Sequence, residues 1–279
     1  MFDKYSRKRV FITGAGSGLG LAFAIEFAKS GWTIGITDIR EERLDQAATA
    51  IQAAGGKVSK YVFDVNDYDK FGLAVADFIS KYGGIDIGIN NAGIGCGGIM
   101  QDTPIETFRR VIDINLMGVV NGCYLFVPTM QIQKSGHILN VASAAAFVSA
   151  PRMSAYNASK AAVLSLSETL CAELLEENIH VSVLMPTYVR TNIGNDAVGT
   201  AEGKKHAQLL VGESNLTPEM VVKETLLHME RKKLYIILPG NAQFLWRFKR
   251  LMPDRFRHFI HGEVKRRISE FESENNRLI

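Results

Sequence analysis

Short runs rich in β-branched and aromatic residues alternate along this chain with longer segments whose apolar positions recur every three to four residues. RVFIT (9–13), TIGIT (33–37), KVSKYVF (57–63), IDIGIN (85–90), GHILNVA (136–142), HVSVLM (180–185) and LYIIL (234–238) each predict a strand. The stretches between them predict helices. LDQAATAIQAAGG, for example, ends in Gly55-Gly56, a helix stop. Strands separated by helices predict right-handed crossovers and an α/β fold, a doubly wound parallel sheet of about seven strands with helices on both faces. No proline-rich linker, repeat or low-complexity segment breaks the alternation before residue 240. Residues 1–240 therefore read as one unit and 241–279 as a helical extension.

The bulk numbers narrow this only a little. With 279 residues, 47% hydrophobic and 22% charged, the chain has ample core for an ordinary globular protein. A net charge of +3 is too small to point to nucleic acid, and no such partner is expected. Cys96, Cys123 and Cys171 are odd in number and far apart. They fit buried thiols in a reducing compartment better than a disulfide frame or a metal site. Lys4, Arg7, Lys8 and Arg9 precede an apolar stretch, and AFA at 22–24 imitates a cleavage site for export. Gly14, Gly16, Gly18, Gly20 and Glu26 interrupt that stretch, so a strand, a turn and a helix explain it better. No run reaches the ~18 apolar residues of a membrane span, and a cytoplasmic location is expected.

Directly after the first strand comes TGAGSGLG. Its glycines 14, 18 and 20 follow G-x-x-x-G-x-G, and Leu19 stands where the last glycine of the commoner G-x-G-x-x-G pattern would be. Glycines let a backbone approach a pyrophosphate closely, and the next helix offers free N–H groups and partial positive charge. Gly14, Ser17, Gly18, Leu19 and Gly20 are thus the expected dinucleotide contacts in a Rossmann-type arrangement. Asp38, at the end of the second strand, is placed to hydrogen-bond the adenosine ribose and to repel a 2′-phosphate, which favours NAD. Arg40, two residues on, could receive that phosphate and keeps NADP open.

SAYNASKAAV (154–163) places Tyr156 and Lys160 four residues apart among small residues. On a helix they share a face. A phenol ionises near pH 10, and a neighbouring ammonium is expected to bring it down toward the range of a general acid/base. Ser143, ending the fifth strand, offers a hydroxyl to a substrate oxygen, and Asn115 in DINLMG is a candidate to anchor a proton-relaying water.

Over residues 7–240 these features together resemble the short-chain dehydrogenase/reductase family. The resemblance rests on TGAGSGLG, Asp38, DV at 64–65, NNAG at 90–93, Asn115, Ser143, and Tyr156 with Lys160. It implies Asp64 and Val65 near the adenine, and Asn91, Ala92 and Gly93 lining the cofactor cleft. It also implies Lys160 and Tyr156 at the nicotinamide ribose, with Pro186 and Thr191 near the nicotinamide. The family usually carries Pro-Gly after the sixth strand, whereas this chain has Pro186-Thr187. The implied activity is reversible hydride transfer between nicotinamide and a secondary alcohol or ketone, in a homodimer or homotetramer. Two rivals stand beside it: an NADPH-dependent 3-oxoacyl or steroid-type reductase, and a nucleotide sensor that has lost turnover.

Substrate choice is expected in 94–100, 144–153 and the segment from Thr187 to about Leu216, which reads as a sparsely anchored mobile lid. Phe147, Val148, Met153 and Tyr188 favour a medium or large hydrophobic substrate over a sugar. In the extension, Phe244, Phe248, Leu251 and Met252 fall on one helical face, with Arg247, Lys249 and Arg250 elsewhere. Pro253 is expected to end or kink that helix, and Phe256, Phe259 and Ile260 continue a second stripe. It is read as packing over the substrate pocket or a neighbouring subunit, or as a peripheral membrane contact, or as touching nucleic acid. Glu270, Glu272 and Glu274 weaken the case for a purely anionic partner.

Overall fold

The computed structural model describes Phe2 and residues 5–275, and their side chains except at 268 and 270–275. Lys4 and the side chains of Glu270, Glu272 and Glu274 lie outside the described residues. The strands are β1 (Arg9–Thr13), β2 (Thr33–Asp38), β3 (Lys57–Val62), β4 (Ile87–Asn90), β5 (Cys96–Gly97), β6 (Gly136–Val141), β7 (Ile179–Pro186), β8 (Val198–Gly199) and β9 (Tyr235–Leu238). The helices are α1 (Gly18–Lys29), α2 (Glu41–Ala53), α3 (Tyr68–Tyr82), α4 (Ile105–Ile112), α5 (Gly118–Gln133), α6 (Ala145–Val148), α7 (Ser154–Glu173), α8 (Ala201–Gly212), α9 (Pro218–Glu230), α10 (Ala242–Leu251) and α11 (Pro253–Asn275).

All seven expected strands form one parallel sheet in the order β3-β2-β1-β4-β6-β7-β9. Helices cover both faces, which is why the inner strands read as unbroken apolar runs rather than alternating ones. Phe23, Phe27 and Trp32 fill one side with Leu44 and Leu226. Phe11, Phe71, Phe78 and Phe126 fill the other. Two strand glycines make room for these rings. A Cβ on Gly35 would stand 2.6 Å from the Phe11 ring, and one on Gly88 would stand 2.4 Å from Phe126. The chain runs outward from β1 through β2 to β3, then returns to place β4 on the other side of β1. That reversal opens a crevice at the C-terminal ends of β1 and β4, where doubly wound sheets bind ligands.

Four findings differ from the sequence reading. The fourth strand begins at Ile87 rather than 85, and Asp86 just before it forms a buried bidentate pair with Arg9 (Nη2–Oδ1 2.8 Å, Nε–Oδ2 3.0 Å). The segment after β7 is not sparsely anchored. It contains β8, paired with β5, and α8, and the Arg190 guanidinium donates to the Ser214 carbonyl at 2.8 and 3.0 Å. The helix through Ile105–Gln133 is, by length and composition, apolar enough to cross a membrane, although no unbroken apolar run shows it. Here Val119, Cys123, Phe126 and Met130 bury its inner face against the sheet. Finally, α10 turns a different face inward. Ala242, Leu245 and Trp246 pack on the core, with Trp246 5.2 Å from the Tyr235 ring, while Phe244 and Leu251 are exposed. Phe248 packs against Phe256 of α11 across the break at Pro253.

The Arg9–Asp86 pair holds the start of β1 to the start of β4 with side chains 6% and 9% exposed. Removing one partner strands a buried charge. Arg9→Met should lower unfolding free energy by about 3–5 kcal/mol in urea titrations, and adding Asp86→Leu should restore most of that loss.

Candidate active site

The crevice between β1 and β4 is built by backbone that only glycine allows to meet. A Cβ on Gly14 would lie 2.7 Å from the Ala92 Cα, and one on Gly20 would lie 2.3 Å from the Gly14 carbonyl oxygen. Gly14 and Gly18 also hold φ of 64° and 57°, where other residues are strained. The side chain of Asn91 fastens the same corner. Its Nδ2 donates to the carbonyls of Thr13 (2.9 Å) and Gly14 (3.0 Å), while Thr13 Oγ1 accepts from the backbone N–H groups of Asn91 (2.9 Å) and Ala92 (3.0 Å). Helix α1 starts at Gly18, and the Ser17 side chain does not cap it. Its first-turn N–H groups therefore face the crevice as donors for an anion. A cradle that a Cβ would fill, opening on an uncapped helix start, fits the pyrophosphate of a dinucleotide. Leu19 packs back against the core, and Thr191 lies over Gly18, 3.2 Å from where its Cβ would be.

At the end of β2, Asp38 Oδ2 accepts from Gly16 N–H (3.1 Å) and Oδ1 from Arg40 N–H (3.1 Å). These bonds aim the carboxylate at the loop and leave lone pairs for ribose hydroxyls. Asp64 closes a turn onto Asn66 N–H (3.0 Å), and the Val65 carbonyl accepts from Asn121 Nδ2 (2.9 Å). Arg40 is paired within the chain. Its Nη2 lies 2.9 Å from Asp196 Oδ1, and Arg43 Nη1 lies 2.8 Å from Asp196 Oδ2. Burial pushes the Asp196 carboxyl up, but the two guanidinia outweigh it and hold the group below its ordinary value.

The expected chemical residues converge at the other end of the crevice. Tyr156 and Lys160 share one face of α7, with Lys160 Nζ 5.8 Å from the phenol ring centroid. The ammonium is buried and donates to the Val141 carbonyl (2.8 Å). Ser143 follows β6. Its hydroxyl accepts from Ala145 N–H (3.2 Å), donates to the Pro186 carbonyl at 3.5 Å, and stands near the Tyr156 phenol. Asn115 is fully buried and clamps Ile94, accepting from its N–H (2.8 Å) and donating to its carbonyl (3.0 Å). Gly93 stands between the two, its would-be Cβ 3.1 Å from Asn115 Oδ1 and 3.4 Å from Lys160 Nζ. Thr187, where the family carries glycine, continues the sheet by donating its N–H to the Leu238 carbonyl (2.9 Å).

One expectation needs correction. The protein's own groups do not bring the Tyr156 phenol down. Burial pushes it up to about 12, and the nearby Ser143 hydroxyl offsets this only in part. Burial also brings Lys160 down to about 8. Taking each group out of water is the largest cause of its shift. At neutral pH the phenol is thus protonated and the ammonium charged.

Four contributors escaped the sequence reading. Asn115 lies in a π-helical turn, Asp113–Met117, that joins α4 to α5, a distortion common at functional sites. Ser159 accepts from Asn115 Nδ2 (3.2 Å) and ties it to the Tyr156 carbonyl (2.8 Å). Its place between Tyr156 and Lys160 was the available signal. Thr13, just before the glycine loop, is the hub of the Asn91 corner. The Arg43–Asp196 contact spans the chain and leaves no local trace.

Comparison with known proteins agrees with this geometry. The sequence model of the short chain dehydrogenase family matches residues 8–201. The protein described as "Probable oxidoreductase EphD" from Mycobacterium tuberculosis is 36% identical over 258 residues, covering 89% of this chain but only 44% of that protein. The chain thus spans less than half the length of that relative. The 3-oxoacyl-(acyl-carrier-protein) reductase FabG of Thermotoga maritima is 38% identical over 184 residues, 66% of this chain and 75% of that one. Among solved structures, a short chain dehydrogenase/reductase from Burkholderia phymatum in complex with NAD superposes with a TM-score of 0.84 at 30% identity, over 88% of this chain and 94% of that one.

The depressed Lys160 fixes a stability prediction. A lysine that ionises near 8 when folded and near 10.5 when unfolded opposes folding fully below pH 8, and this opposition fades as pH rises to 10.5. Lys160→Met should therefore stabilise the protein at pH 7 by about 1–2 kcal/mol, once the lost bond to Val141 is counted. Urea titrations should show the gain shrinking between pH 8 and 10.5.

Proposed function

The chain belongs to the short-chain dehydrogenase/reductase family of oxidoreductases, and from that premise we propose that it interconverts a secondary alcohol and a ketone with NAD, favoured over NADP. When bound, the nicotinamide supplies or accepts the hydride. Everything else falls to the chain's own residues. Gly14 to Gly20 bind the pyrophosphate and Asp38 the adenosine ribose, with Asp64 and Val65 at the adenine. Asn91, Ala92, Gly93, Pro186 and Thr191 line the remainder. Tyr156 gives its phenolic proton to the substrate oxygen during ketone reduction and takes it back during oxidation. Ser143 holds that oxygen in line. Lys160 supplies positive charge and holds the nicotinamide ribose, and Asn115 fixes the wall opposite.

The observation that carries this reading is the Ser143–Tyr156–Lys160 set, with a buried lysine beside a half-buried phenol and hydroxyl, on the edge of the glycine cradle. A phenol kept protonated at neutral pH suits the acid role directly. Acting as base requires added positive charge near the ring, and Lys160 in low dielectric is the residue placed to add it. The NAD preference is supported by Asp38 facing the loop, by Arg40 being engaged elsewhere, and by the NAD-bound Burkholderia relative. The buried Phe147 and the apolar Val148 and Met153 favour a hydrophobic substrate. Self-association into a dimer or tetramer belongs to the same proposal.

A second reading, an NADPH-dependent 3-oxoacyl reductase, is favoured by the similarity to the Thermotoga enzyme. Assays of secondary alcohols with NAD and of 3-oxoacyl thioesters with NADPH separate the two. In whichever assay turns over, Tyr156→Phe should lower kcat roughly 100- to 10,000-fold while leaving cofactor binding within a few-fold. Full activity in that variant would remove Tyr156 from the mechanism.

A further inference from the structure

The segment after β7 crosses to the adenosine end of the crevice and places Asp196 between two arginines there. Asp196 is tied down by its own backbone, whose N–H donates to the Asn192 carbonyl (2.9 Å), and by the β5–β8 ribbon that follows. Its two oxygens reach Arg40 at 2.9 Å and Arg43 at 2.8 Å. Both arginines lie at the start of α2, immediately beyond Asp38. Arg43 Cβ would be 3.0 Å from a Cβ on Gly16, the residue whose N–H donates to Asp38. One corner of the crevice therefore holds two guanidinia and two carboxylates. The paired side chains are 25–44% exposed, so they are partly withdrawn from water.

Two guanidinia beside a ribose-binding carboxylate form the donor set that a phosphate dianion recruits. In this chain that set is already engaged by a carboxylate. We propose that Asp196 is a specificity-determining residue, an internal substitute for the 2′-phosphate that holds Arg40 and Arg43 and so turns the site away from NADP. A phosphate entering this corner must displace the Asp196 carboxylate and then sit beside it, so the residue opposes NADP both by occupying the donors and by like charge. NADH brings only ribose hydroxyls and leaves the bridge intact. The inference rests on the NAD reading above, but its test is separable from it.

The experiment titrates NADH and NADPH into the full chain at fixed ionic strength, following nicotinamide fluorescence. It uses wild type, Asp196→Asn, and the double variant Arg40→Gln with Arg43→Gln. Asp196→Asn should tighten NADPH by about tenfold, the gain expected from one freed charge-assisted contact, and change NADH less than about threefold. The double arginine variant should weaken NADPH relative to NADH, because the bare Asp196 carboxylate then faces the phosphate. Equal changes for both cofactors in either variant would mean that the bridge only fastens the strap, and would overturn the proposal. The wild-type NADH-to-NADPH ratio judges the NAD reading alone, whereas the changes caused by the variants judge Asp196 alone.

Discussion

An ammonium group with almost no contact with water sits where four separate parts of the chain meet. Lys160 comes from α7, its hydrogen-bond acceptor from the end of β6, and the wall beside it from Gly93 after β4. Asn115 in the π-helical turn completes the enclosure. Among the described residues no carboxylate pairs with it, burying such a charge is costly, and the fall of Lys160 to about 8 expresses that cost. The surroundings are consistent with tolerating it. Gly93 leaves space where a Cβ would press toward the nitrogen, and Ser159 and Asn115 form a hydrogen-bonded brace along the same helix. A protein selected for stability alone would place an apolar residue here. The retained lysine therefore points to chemistry at the adjacent phenol.

The opposite end of the crevice follows a different logic. There the constraint is closeness of backbone, since Gly14, Gly20 and Ala92 approach within distances that a side chain would forbid. Asn91 and Thr13 convert that closeness into a rigid corner with four hydrogen bonds between 2.9 and 3.0 Å. The phosphate-sized cradle stands on β1 and β4, and the Ser143 and Lys160 end stands on the neighbouring β6 and the helix α7 that follows it, so their spacing is set by adjacent strands of one sheet. The Asp196 bridge then ties the strap after β7 to the mouth of the cradle.

The sheet was legible because each of its strands is a short β-rich run bounded by turn residues, and periodicity needs no tertiary information. The glycine loop, Asp38 and the Tyr156–Lys160 spacing were legible for a similar reason, as each is a local pattern with one physical use. What escaped depended on distant partners. The π-helical turn at Asn115 shows only when Ile94 is seen clamped by its amide. Arg40 read as a free cation because Asp196 lies far along the chain, and the face of α10 that turns inward is chosen by Tyr235 of β9. The phenol was misjudged in magnitude. Spacing revealed a helpful ammonium, but the larger effect of burial becomes visible only once the core is assembled around it.

The central claim is that this crevice binds a nicotinamide dinucleotide with its adenosine half at Asp38. Titration of the purified chain with NADH, followed by nicotinamide fluorescence and then by competition with AMP, tests it most directly. The account predicts saturable binding of one NADH per chain that AMP displaces. Absence of saturable binding, or binding that AMP leaves untouched, would contradict it.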